Sequence, residues 1–81
     1  MGHAADSLAT LGQAVETAEQ RFLDAGLFFG HGSANAYDEA AYLVLHTLAL
    51  PLDDLDSVWQ RALTASEQQA VAAIIARRIH E

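Results

Sequence analysis

Leu8, Leu11, Val15, Ala18 and Phe22 follow one another at spacings of 3, 4, 3 and 4, which lays a single apolar stripe along a helix over residues 7–25. Gly26 ends it. A glycine just past the last turn can take the left-handed conformation, and Leu27 can then fold back on Phe22 as in a Schellman cap. Residues 27–36 collect Gly30, Gly32 and Ser33, the longest loop the chain predicts, and Asn35 is placed to cap a second helix over residues 36–49. Asp38 and Glu39 stand in its first turn, where the helix dipole favours acids, and Pro51 disfavours helix at Leu50. Its middle, residues 40–45, is apolar on every side, which predicts a helix at the centre of a bundle.

Beyond Pro51, Asp53, Asp54 and Asp56 precede Val58 and Trp59 and suggest a short helix over residues 52–61, with Trp59 anchoring it to the core. Thr64-Ala65-Ser66-Glu67 is a capping box, in which hydroxyl and carboxylate satisfy each other's backbone N–H groups. It opens a last helix that buries Val71, Ile74, Ile75 and Ile79 and runs to the chain end without a stop signal. Arg77, Arg78 and His80 sit favourably at its negative end. No stretch alternates as a strand does. The expected fold is all-α, a small four- to five-helix bundle with the second helix central.

The 81 residues are 52% apolar and 19% charged, enough for one core and too few for two. No cysteine is present, which excludes disulfide scaffolds, thiol catalysis and thiolate metal sites and fits a cytoplasmic setting. Four arginines, no lysine and eleven acids leave a net charge of −7. Such a surface repels nucleic acid and attracts a basic protein. The start of the chain lacks the basic and apolar regions of a signal peptide, and the longest uncharged run, residues 40–52, is too short to span a bilayer.

Candidate chemistry is sparse. Gly30-His31-Gly32 lacks the preceding strand, the third glycine and the lysine of phosphate loops, so it reads as a turn. Glu39, Tyr42 and His46 share one helical face, read first as a polar rim and second as a partner-binding strip, because a metal site would need further converging ligands. The serines fall at helix starts and in the loop, where their hydroxyls cap backbone. The alternating Asp53, Asp54 and Asp56 lack the glycine and later glutamate of a calcium loop. Among the aromatics, Phe28 and Phe29 are the best candidates for exposure, since two adjacent loop residues do not both point inward.

From Arg21-Phe22 through Leu52-Asp53 the sequence is less generic. The run Leu27-Phe28-Phe29-Gly30-His31-Gly32-Ser33-Ala34-Asn35-Ala36-Tyr37-Asp38-Glu39-Ala40, followed by Leu43-Val44-Leu45 and Leu50-Pro51-Leu52-Asp53, resembles the N-terminal domain of HemK-like protein-glutamine methyltransferases. The likeness is greatest to the branch that modifies a large-subunit ribosomal protein. Leu63-Thr64-Ala65-Ser66-Glu67 and Arg77-Arg78-Ile79 extend it over nearly all the chain from Ala18 onward. Ala36 stands where the family often has proline and Tyr37 where it often has tryptophan.

The resemblance implies that residues 1–81 are a single helical substrate-recognition domain, ahead of a C-terminal domain that binds S-adenosylmethionine. In the family that second domain presents an Asn-Pro-Pro-Tyr motif to the substrate glutamine, and neither the motif nor a glycine-rich cofactor loop occurs here. The implied fragment has no catalytic, cofactor or metal site of its own, while its parent is an S-adenosylmethionine-dependent N5-glutamine methyltransferase. Its partners would be a basic ribosomal protein and the catalytic domain of the same chain. Phe28, Phe29, His31, Asn35, Asp38 and Glu39 are the candidate contacts with the substrate protein. The competing expectation is an acidic helical interaction or oligomerisation module with no catalytic partner, its acids serving solubility.

Overall fold

The computed structural model describes residues 8–26 and 35–80. Four helices follow in order among them: α1 Leu11–Asp24, α2 Ala36–Thr47, the single turn α3 Leu55–Val58, and α4 Ala65–His80. The helix α1 packs along α2, and α4 lies against both. Its stripe works as the spacing predicts: Leu11, Ala14, Val15, Ala18 and Phe22 are wholly buried. They meet Ala36, Ala40, Val44 and Leu45 of α2 and Val71 and Ile75 of α4. No helix among the described residues is long and apolar enough to cross a membrane.

The first helix begins four residues later than the stripe suggests. Thr10 is its N-cap, with the side chain accepting from the Gln13 N–H at 3.2 Å. The reason is long-range. The Leu11 and Gly12 N–H groups donate to the Arg61 and Trp59 carbonyls at 2.8 and 2.9 Å, and the Leu63 N–H donates to the Ala9 carbonyl at 2.9 Å. Residues 9 and 10 are thereby held against residues 62 and 63, with Thr10 extended and one antiparallel bridge joining it to Ala62. Every N–H of the first turn of α1 has a partner, as a buried helix end requires. At the other end Gly26 has φ +70° and donates to the Leu23 carbonyl at 3.0 Å, the expected glycine stop. The anticipated Leu27 contact lies outside the described residues.

The second helix stops at Thr47, two residues before the predicted end. Ala49, at φ +58°, takes the left-handed position that glycine usually fills. Its N–H donates to the His46 carbonyl at 3.1 Å and the Leu50 N–H to the Leu45 carbonyl at 2.9 Å, which completes a Schellman motif. Val44 and Leu45 are buried, as a central helix demands, but Tyr42 remains 49% exposed. The apolar circumference thus meets helices on two sides and solvent on the third. The third helix is a single turn rather than the predicted ten residues, because residues 52 and 53 form a turn and Asp54 starts the helix, accepting from Ser57 Oγ at 2.6 Å.

The capping box is present as read. Thr64 N–H donates to Glu67 Oε1 at 2.9 Å and Glu67 N–H to Thr64 Oγ1 at 3.1 Å. Arg61 adds a two-pronged bond to the same carboxylate, at 3.2 and 2.9 Å. The guanidinium, with the Thr64 N–H behind it, holds the Glu67 carboxyl below its ordinary 4.5. A lowered carboxyl value means that the stabilisation is fully present above the unfolded pKa and is lost as pH falls through the folded one. Melting temperature should therefore drop below pH 4.5, and Glu67→Gln should blunt that drop. Identical acid profiles for the two proteins would show that this carboxylate contributes nothing.

Candidate protein-interaction surface

The first turn of α2 carries three of the six residues singled out as substrate contacts. Asn35 is its N-cap: Oδ1 accepts from the Asp38 N–H at 2.8 Å and its carbonyl accepts from the Glu39 N–H at 2.9 Å. The side-chain oxygen is thus engaged in holding the helix start. Asp38 is exposed. Glu39 accepts from Arg78 Nε at 3.1 Å, which ties the start of α2 to the last turn of α4. Two half-buried side chains near the surface gain little from such a pair, but the pair does offset one negative charge at the start of α2. Phe28, Phe29 and His31 lie outside the described residues.

One and two turns further along the same side of α2, Tyr42 and His46 stack with ring centroids 5.6 Å apart and planes inclined by 21°. Spacing alone anticipates this pair, since residues four apart on a helix are neighbours. Among the described residues no group of three or more His, Asp or Glu side chains is placed to hold a metal ion.

A second gathering was not legible in the sequence. Burial first, and then the negative charges of Asp56, Glu19, Asp38 and Glu16, push the Tyr37 phenol above its usual 10.0. Those acids come from α3, α1 and α2, so the fold brings the charge of three helices to bear on one partly exposed tyrosine. The net charge of −7 was the sole signal available, and it says nothing of where the acids meet. Beside them, residues Leu52 to Asp56 line an open depression of about 300 Å³. Its three aspartates carry no basic partner among the described ion pairs. Chemically the surface offers carboxylates, a phenol and a stacked aromatic pair, the complement of a cationic protein segment.

No family model matches the chain, and no solved structure matches it. Curated proteins do. Over 78 residues, 96% of this chain and 26% of the relative, it is 51% identical to the ribosomal protein uL3 glutamine methyltransferase of Neisseria meningitidis serogroup B. The protein of the same name from Burkholderia pseudomallei is 53% identical over 72 residues, 89% of this chain and 24% of that one. That of Xylella fastidiosa is 44% identical over 78 residues, 96% of this chain and 25% of its own length. The chain thus spans about a quarter of the length of the curated relatives it matches.

Proposed function

Since the chain belongs to the protein-glutamine methyltransferases as an N-terminal segment of them, we propose that it is the domain with which such an enzyme holds its protein substrate. The observation that carries this reading is the identity with named uL3 glutamine methyltransferases across almost all of the chain. The substrate is then uL3 or a close equivalent, met in the cytoplasm. The acidic surface supports the assignment, because a −7 module draws a basic protein toward it and orients it on approach.

Within this division of labour residues 1–81 bind and position, while the rest of the parent chain carries out the transfer. When bound there, S-adenosylmethionine supplies the methyl group that passes to the side-chain nitrogen of a substrate glutamine. The described residues do not fit that cofactor. They form no strand followed by a glycine-rich turn, the arrangement that receives such a nucleoside in the family's catalytic fold. The fragment's contribution is therefore to the effective concentration and orientation of the substrate protein.

Comparing the full-length enzyme with a version lacking residues 1–81 tests the reading. The full-length enzyme should methylate a glutamine of purified uL3. Deletion should raise the KM for uL3 while leaving kcat on a short glutamine peptide unchanged, which also shows that the catalytic part remains folded. Equal KM values for uL3, or no methylation of uL3 by the full-length enzyme, would contradict it.

A further inference from the structure

The outer side of α2 carries Asp38, Tyr42 and His46 at successive spacings of four, directly away from the buried Ala36, Ala40 and Val44. We infer that this ridge is the strip on which the domain docks an arginine side chain of a basic protein segment. The inference rests on the substrate-holding reading and adds to it the place and the chemistry of contact.

Tyr42 leaves about half its surface in solvent although it belongs to a helix whose neighbours Val44 and Leu45 are fully inside. His46 stacks on it, the two ring planes inclined by 21° to each other, and so limits the ring's freedom. An aromatic face held in one orientation loses little entropy when something settles on it. One turn back, Asp38 sets a carboxylate on the same side, its backbone already clamped by the Asn35 cap. The adjacent Glu39 is occupied by Arg78, so the ridge presents the charge of Asp38 beside an aromatic surface. A planar guanidinium fits both features at once: it stacks on the phenol ring and donates in parallel to the carboxylate. A lysine ammonium, compact and strongly hydrated, would satisfy the charge alone. The net charge of −7 sets the character of the rest of the partner, which must be basic.

The test is calorimetric titration of the full-length enzyme with purified uL3. Tyr42→Ala should weaken binding about 5- to 30-fold and Asp38→Asn about 3- to 10-fold. Tyr42→Phe keeps the ring face and should remain within about twofold of the parent, as should Leu23→Ala, an exposed residue of α1 off the ridge. Melting curves on each variant separate lost contact from lost fold. A parent enzyme that binds uL3 with Tyr42→Ala and Asp38→Asn binding equally well overturns the ridge and leaves the substrate-holding reading standing. Failure of the parent enzyme itself to bind uL3 overturns both.

Discussion

Replacing Gly12 with alanine should lower the stability of the domain by about 1–3 kcal/mol, and with valine by more, although helix propensity alone points the other way. Gly12 is the second residue of α1 and is buried, with its N–H donated to the Trp59 carbonyl at 2.9 Å. A Cβ added there would overlap Trp59 Cε2 and stand 2.5 Å from its Nε1 and 2.8 Å from its Cδ2. The indole is a rigid plane tethered by its own backbone bond to α1, so it has no flexible end to give way. Alanine gains about 1 kcal/mol over glycine in a helix interior, and less near the first turn. Forcing methyl groups into a filled core costs about 1–3 kcal/mol, and so the clash decides the sign. Urea unfolding followed by circular dichroism measures it, and a midpoint raised by Gly12→Ala would show that the Trp59 contact is not tight.

Phe22→Ala should be more damaging still in absolute terms, at about 3–5 kcal/mol. Phe22 heads the fully buried side chains by volume and closes the apolar stripe one turn before Gly26. Its removal takes away transfer energy and leaves a cavity in the core that α1 shares with α2 and α4. A domain of this size has about 5–10 kcal/mol in total, so the variant should lose much of its helical signal at body temperature. Retention of a near-parental melting temperature would mean that the core is not centred on this ring.

What could be read ahead of the structure was local. The stripe from Leu11 to Phe22, the Thr64 and Glu67 capping box, the Asn35 cap and the Gly26 stop each depend on residues within one or two turns of one another. What could not be read depends on distant pairings. The start of α1 is set by carbonyls of Trp59 and Arg61, about fifty residues on, which no pattern around Ser7 or Thr10 discloses. The end of α2 uses Ala49 in a conformation whose ordinary signal is glycine, so only Pro51 was visible as a stop. The same division holds at the surface. Tyr42 beside His46 follows from spacing, whereas the pairing of Glu39 with Arg78 spans 39 residues. The acids whose charge acts on Tyr37 come from three helices, and only the fold makes their charges act at one ring.

On the proposed function, this acidic bundle holds a basic substrate protein. The most direct test is the affinity of the 81-residue chain for purified uL3 across a salt series, with helicity monitored by circular dichroism in the same buffers. At physiological ionic strength exposed charges are screened beyond about 8 Å, so steering by a −7 surface must weaken as salt rises. Direct binding should be seen, and should fall about tenfold between low salt and roughly 0.5 M, chiefly through a slower association rate. Affinity unmoved by salt, or no binding by a chain that is fully helical, would contradict that function.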